Sequence, residues 1–143
     1  MNPNYSHTIT LYNRIPAQAS GAAYDSWQRT VLTNCFFSCT ATLVQSGTGA
    51  EQENTYSVRI PESDAYQEAA AWDVNASRGD MWTVHEDDVV VFGECSSEIT
   101  SQYTVYDLMD DHKPDAFRVQ SFSDNTRYPW EKHYHLTGGS YRR

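Results

Sequence analysis

The sequence predicts a mainly β protein: a small β-barrel or sandwich with long loops and one or two short helices. Two observations lead to this fold class. Short stretches in which polar and apolar residues alternate recur along the chain, and a period of two is typical of strands. The composition is also rich in tyrosine, tryptophan, phenylalanine, threonine and valine, which fit a pleated and half-buried surface.

The clearest pair of predicted strands lies within residues 116–139. Phe117, Val119 and Ser121 occupy alternate positions, as expected for a strand with one buried face. Residues 123–126 (SDNT) carry side chains that favour turns. Residues 132–137 are predicted to return as a second strand, which a pair of glycines ends.

Further segments are predicted to be strands or short helices. The strands are residues 7–13, 27–32, 55–60 and 89–92, with an interruption after the second near Thr33 and Asn34. The helices are residues 66–71, with Ser63 or Asp64 as the N-cap, and a segment within residues 101–113 that ends before Pro114.

Long connections separate these elements. Residues 40–54 contain two glycines and are predicted to be an exposed hairpin tip. Residues 61–88 are predicted to be a long loop or insertion, in which the acidic cluster 85–88 is a solvated turn. We expect residues 1–143 to form a single domain, because this length is typical of one domain.

The charge and the cysteines restrict the class of protein. The formal net charge is −9, with 19 acidic and 10 basic residues, which argues against a general nucleic-acid binder. It remains compatible with a passage through which DNA slides without specific binding. The three cysteines have no disulfide or zinc spacing, so we expect free thiols that are buried or half-buried. No signal peptide and no apolar membrane span is visible, so folding in a cytoplasm and no membrane association are expected.

No catalytic constellation stands out. The phosphate-binding glycine loops, the nucleophile elbow and the zinc-protease motif are all absent from the sequence. Cys95 could pair with His85 or His112, but the spacing favours a structural thiol. We therefore predict a protein that is not an enzyme and that has no cofactor.

One pair of histidines invites a metal-site interpretation. His133 and His135 would face the same side of a strand, and Asp124 or Asp115 could supply a third ligand. The alternative is a strand edge with two polar aromatic residues. We favour that alternative and predict no metal site.

Exposed aromatic residues are the more telling signal for interaction, because tyrosine and tryptophan combine a large apolar area with a polar tip. The alternative is that they are ordinary core residues. The candidates for an interface are Trp72, Trp82, Tyr128, Trp130 and Tyr134.

An ordered set of segments carries a resemblance to a known group of proteins. The segments are residues 7–13 (HTITLYN), 27–36 (WQRTVLTNCF), 54–61 (NTYSVRIP), 79–80 (GD) with 89–94 (VVVFGE), 97–99 (SEI), 117–119 (FRV) to 123–126 (SDNT), and 133–138 (HYHLTG). Together they resemble small virion proteins of tailed bacteriophages and prophages of Firmicutes, described as minor capsid or head–tail connector proteins. In the family pattern, Gly-Asp leads directly into the apolar strand, so residues 81–88 are either an inserted hairpin or a sign of misalignment.

The resemblance implies a structural role in the phage neck. Such proteins form a head-completion, stopper-like ring of small β-barrels that joins the portal and adaptor to the tail. The chain would then be a homo-oligomeric virion component at the head–tail interface, assembled in the host cytoplasm, with DNA passing through its lumen. Residues 61–80 and 40–54 are the candidates for contacts with partners or with the lumen.

Other functions remain open at this point. A tail-terminator or tail-completion protein would have a similar size, composition and ring assembly. A small ligand- or carbohydrate-binding β domain would instead use exposed aromatic side chains as stacking platforms. A hydrolase or metal enzyme is the least favoured.

Overall fold

Six strands in the described part of the chain close into an antiparallel barrel, in the order β1-β2-β3-β6-β5-β4. The computed structural model describes residues 5–16, 25–46, 49–75, 79–127 and 132–139, with the backbone alone for residues 42–53. The elements are β1 (His7–Ile15), β2 (Ser26–Ser46), β3 (Gly49–Pro61), α1 (Ala69–Asp73), β4 (Val89–Phe92), α2 (Val105–Asp111), β5 (Ala116–Asp124) and β6 (His133–Gly139). The predicted fold class is confirmed, and the barrel form of it is the one found.

The long strand β2 divides its pairing between two neighbours. Its first part, residues 26–35, pairs with β1, and its second part, residues 36–46, pairs with β3. Asn34 lies at the switch with a φ of 57°, a left-handed conformation that asparagine adopts more readily than most residues. The interruption predicted near Thr33 and Asn34 is therefore an irregularity within one continuous strand.

The segment predicted to be an exposed hairpin tip consists mainly of paired strand. The ladder between β3 and β6 begins at Thr55, opposite Gly139, and β1 pairs with no residue of β2 beyond Cys35. Residues 41–46 and 49–54 therefore pair only with each other among the described residues. We call this two-stranded extension the β2–β3 arm.

The barrel interior holds the main core. Its centre is the stack of the Tyr56 and Phe117 rings, whose centroids lie 4.8 Å apart at an interplanar angle of 7°. The buried members of this cluster come from every strand of the barrel and from the connection before β4. They are Ile9, Leu11, Cys35, Phe37, Tyr56, Val58, Ile60, Trp82, Val84, Val90, Phe117, Val119, Tyr134 and Leu136.

A second core lies outside the barrel wall, beneath α2. Leu108 and Met109 of this helix pack with Tyr12, Val89 and Val91 on the outer face of β1 and β4. Because residues 89–91 of β4 are buried whichever face they point to, the sequence there is a continuous apolar run rather than an alternation. The helix predicted within residues 101–113 is confirmed, and a capping box between Thr104 and Asp107 begins it.

The first predicted helix was placed too early in the chain. The helix begins after Glu68 rather than at Tyr66, and neither predicted cap is used, since Ser63 Oγ instead accepts a hydrogen bond from the Ala65 amide. Tyr66 forms a parallel β-bridge with Trp82. Its ring also packs on Tyr134 at a centroid distance of 4.3 Å, and this burial outweighs the local helical preference.

Residues 81–88 do not form an inserted hairpin. Trp82 donates its amide to Ala65 and accepts from the Gln67 amide, both at 2.9 Å, so the segment adds to the first part of the same connection. Thr83 and Val84 follow as buried residues.

The alternation in the sequence predicts that one face of β5 is buried along its whole length, but the buried face changes partway along the strand. A register shift between Val119 and Ser121 leaves Ser121 exposed and turns Phe122 towards the core, where its ring packs near Tyr66 and Tyr134. A β-bulge reverses the side-chain phase in this way, and the alternation in the sequence contains no sign of it.

β6 ends at Gly139, as predicted, although both of its glycines are paired within the ladders. The two glycines offer a matched test of the barrel. A Cβ on Gly138 would overlap the Arg118 carbonyl oxygen and the Phe117 ring, whereas a Cβ on Gly139 would lie 3.4 Å from the nearest atom, in the Gln120 side chain. We expect Gly138→Ala to reduce the free energy of unfolding by about 2 kcal/mol or more, because overpacking displaces backbone as well as side chains. Chemical denaturation measures the free energies of unfolding of Gly138→Ala and of the control Gly139→Ala, and equal values would contradict this packing.

Candidate functional site

Within the strand ladders that the structure describes, residues 42–46 and 49–53 of the β2–β3 arm form a two-stranded ribbon with no third strand beside it. A two-stranded ribbon leaves the outward N–H and C=O groups of both its strands without ladder partners. Such ribbons are marginally stable alone in water, and free strand edges readily pair with other chains. Residues 41–54 include Glu51 and Glu53 and no lysine or arginine. The arm is therefore a candidate interface.

The aromatic residues predicted to form an interface are buried where the structure describes them. Trp72, Trp82 and Tyr134 are only 0%, 1% and 4% exposed. Trp72 donates its indole N–H to the Met81 carbonyl, and Trp82 and Tyr134 belong to the barrel core. Their burial corresponds to the core alternative that the sequence left open, so these side chains present no surface to a partner.

Tyr128 and Trp130 lie outside the described residues. Among the described ones, the most exposed large hydrophobic side chain is Val74, at 84%. It directly follows α1, inside the segment 61–80 that was predicted to contact partners.

A buried carboxylate, Asp88, lies at the end of the connection before β4. It is completely buried, and its oxygens accept hydrogen bonds from Asn13 Nδ2 at 2.8 Å, the Arg14 amide at 3.0 Å and the His85 amide at 2.8 Å. The prediction of a solvated turn is therefore correct for the turn around Glu86 and wrong for Asp88. Through its hydrogen bonds with Asn13 and Arg14, Asp88 connects the end of β1 to the beginning of β4.

His85 extends this cluster to α1. Its Nε2 lies 2.7 Å from Asp73 Oδ1 and its Nδ1 lies 3.3 Å from Asp88 Oδ2, and Trp72 packs edge-on against the ring. The hydrogen bond to Asp88 is the largest factor that raises the pKa of His85, and burial opposes it. Because carboxylates engage both ring nitrogens, the imidazole serves as a link rather than as a general base.

A cavity of about 230 Å³ lies beside this link. It is lined by Arg14, Ile15, Pro16, Trp72, Asp73, His85, Glu86 and Asp88. The polar groups that line this cavity are largely hydrogen-bonded to one another, and they connect α1 to the barrel.

The two histidines of β6 are held by neighbouring polar side chains. His133 Nε2 lies 3.2 Å from Asn125 Nδ2, and His135 Nε2 lies 2.8 Å from Ser57 Oγ. Within the described ranges, no three histidine, cysteine or acidic side chains converge to hold a metal ion. Burial lowers the pKa of His135, and Arg59 and His133 lower it further.

The cysteines differ from one another in their surroundings. Cys39 is exposed, which contradicts the expectation that all three thiols are at least half-buried. Burial raises the pKa of Cys35 to about 12. Cys95 is only 5% exposed and its Sγ lies 3.4 Å from His112 Nε2, a contact that the spacing did not predict. It belongs to the second core beneath α2, as a structural thiol does.

Comparison with known families gives one match. The profile of a family of unknown function (DUF6751) matches residues 4–139, which include every strand of the barrel. The chain belongs to this family. A search of curated proteins finds no match. In the part of the DUF6751 chain that the structure describes, no helix is long and apolar enough to span a membrane.

Neighbouring acidic residues provide a test of the buried carboxylate. Asp88→Asn replaces an acceptor oxygen with an amide donor among several N–H groups, so we expect a loss of about 2–4 kcal/mol in the free energy of unfolding. Asp87→Asn is the control, because the Asp87 side chain is half exposed and its 3.3 Å ion pair with Arg118 should be worth less than about 1 kcal/mol. Urea denaturation of both variants decides, and comparable losses would refute the role of Asp88.

The opposite pKa shifts of two histidines predict opposite pH dependences. Since the pKa of His85 is raised, its stabilising contribution is complete below about pH 6.5 and is lost as the pH rises through its folded-state pKa. His135 has a lowered pKa, so folding opposes its protonation and stability falls as the pH drops through that range. Melting temperatures at pH 5.5 and 8.5 should therefore show that His85→Gln is more destabilising at the lower pH. His135→Gln should show the reverse trend, and parallel trends would overturn the assignment.

Proposed function

We propose that this chain is a structural protein of the neck of a tailed-phage virion. In this role it forms a head-completion, stopper-like ring that joins the portal and adaptor to the tail and lets DNA pass. The observation that carries the proposal is the β2–β3 arm, in which residues 42–46 and 49–53 have ladder partners, among the described residues, only in each other. The resemblance of the sequence to head–tail connector proteins is what suggests the particular assembly.

The arm supports assembly because an exposed strand edge can be covered by a partner chain. An exposed strand edge either attracts unwanted chains or is covered by an intended partner. In a ring of identical subunits each contact is heterologous, so a projecting element of one subunit meets a different surface of the next. An arm on a rigid barrel suits this geometry.

The segment between β3 and β4 offers a second contact. α1 is held to the barrel through His85 and through the Trp72 indole, so it presents a fixed surface. The exposed Val74 lies at the end of this surface. A fixed element with an exposed apolar side chain suits contact with an adaptor or tail protein.

The charge of the chain suits a passage for DNA. With a net charge of −9, a ring of several subunits carries a strong negative potential. Such a potential repels the phosphate backbone and favours sliding over binding. Specific DNA contacts are therefore not part of the proposed role.

Removal of the arm tests the proposal. Residues 41–54 are deleted and Thr40 is joined to Thr55, which lies opposite it in the ladder, through an Asn-Gly turn. We expect the barrel to stay folded, with the far-ultraviolet circular dichroism of a β protein, but to lose its ring-sized mass. Phage that encode this deletion should yield heads without stably attached tails.

A matched control keeps the arm and replaces only residues 47–48, between the paired Ser46 and Gly49, with the same Asn-Gly turn. This variant should assemble normally. Normal infectious particles from the arm deletion would refute the proposed function.

A further inference from the structure

Cys95 and His112 form a thiol–imidazole pair in the second core, beneath α2. Cys95 Sγ lies 3.4 Å from His112 Nε2, a distance within hydrogen-bond reach of a sulfur atom. Cys95 is 5% exposed, and His112 is half-buried. The pair therefore lies near the edge of this core, where a molecule of about the size of water needs only a small opening to reach the sulfur.

Backbone hydrogen bonds fix both members of the pair. The Cys95 amide donates to Thr10 Oγ1 at 2.8 Å, which holds the cysteine against β1. His112 is the C-cap residue of α2, and its amide donates to the Leu108 carbonyl at 3.2 Å. The pair therefore links the connection after β4 to the end of α2.

A phenol adjoins the same sulfur. The Tyr12 hydroxyl donates to the Ser97 carbonyl at 2.7 Å. Burial raises the pKa of Tyr12, and a hydrogen bond with the Cys95 side chain raises it further. The thiol therefore has two polar neighbours inside a largely apolar cluster, and one of them, the imidazole, is a group that can take up a proton.

Cys35 is a matched thiol in the barrel core with different surroundings. It is 0% exposed, and its Sγ donates to the Thr33 carbonyl at 3.5 Å. A backbone carbonyl accepts a hydrogen bond but does not take up the thiol proton. Burial raises the pKa of Cys35 to about 12, so this thiol remains protonated and unreactive at neutral pH.

We propose that Cys95 is a modification site for small hydroperoxides, and that His112 accepts its proton during the reaction. The thiolate is the reactive form of cysteine, and a neighbouring imidazole promotes its formation. The sulfur attacks one peroxide oxygen and the O–O bond breaks, while the departing alkoxide or hydroxide takes the proton that His112 received. Cys95 becomes a sulfenic acid, and the hydroperoxide is reduced to an alcohol or to water. This reactivity does not depend on the ring assembly proposed above.

Oxidation of Cys95 should weaken the attachment of α2. The sulfenic acid places an additional oxygen atom in the cluster that contains Leu108 and Met109. Overpacking and an added polar group both destabilise an apolar core. A helix of seven residues is not stable alone and depends on this packing. We therefore expect α2 to loosen, while the barrel core, which is a separate cluster, stays intact.

Kinetic mapping of sulfenic acid formation tests the reaction. The Cys39→Ser chain, which lacks the exposed native thiol, is treated with hydrogen peroxide in the presence of dimedone, which traps sulfenic acids. Peptide mass spectrometry locates the label. We expect Cys95 to be labelled at least about tenfold faster than Cys35. Equal rates would overturn the proposal, because labelling would then follow global unfolding, and so would an unlabelled Cys95.

His112→Gln, in the same background, separates proton uptake from simple shielding. Glutamine forms hydrogen bonds but does not take up a proton at neutral pH, so labelling of Cys95 should slow at least about tenfold. If His112 only covered the sulfur, its replacement would leave the rate unchanged or raise it, and either result refutes its role. Circular dichroism checks the fold of this variant. Should it not fold, the comparison of Cys95 with Cys35 still decides the proposal.

Hydrogen–deuterium exchange tests the effect on α2. Peroxide treatment of the Cys39→Ser chain should speed exchange of the α2 amides at least about fivefold and leave the barrel strands unchanged. The control adds Cys95→Ala, because Met109 lies in the same cluster and is also open to oxidation. An equal response of the control, or protection of α2 that survives oxidation of Cys95, would contradict the coupling.

Discussion

The structure depends on the way in which β2 divides its pairing between β1 and β3. β2 has 21 residues, and among the described residues its first part pairs with β1 alone and its second part with β3 alone. The second part continues past the ladder between β3 and β6 and forms one strand of the arm. A barrel normally removes strand edges, and here the long strand carries a ribbon beyond the barrel wall.

The rest of the fold holds the barrel together at several separate places. The stacked Tyr56 and Phe117 rings lie at the centre of the barrel. β6 packs closely against the Phe117 ring at Gly138. Asp88 joins β1 to β4, and His85 holds α1 against the same end. A surface that is fixed before binding loses little entropy on association, so this framework suits an assembly component.

Sequence reasoning succeeded where the signal was local. The strands with β-branched and aromatic residues and the helix before Pro114 depend on periodicity and end signals, and the structure contains them. It failed where distant partners decide. Asp88 looks like one of several solvated acids until Asn13 is brought beside it, and Tyr66 leaves its predicted helix because Trp82 and Tyr134 offer burial. The hairpin at residues 40–54 was predicted, but the length of its paired strands was not, because the sequence there shows no alternation that distinguishes a strand from a loop. Trp72 and Trp82 were considered for an interface on residue type alone, and the structure buries both of them.

Cryo-electron microscopy of the neck of a virion that encodes this chain tests the central claim most directly. The account predicts density for a closed ring of these barrels between the portal complex and the tail, with the arm of each subunit in contact with its neighbour. A neck in which no density fits the barrel, or particles that lack the protein altogether, would contradict it.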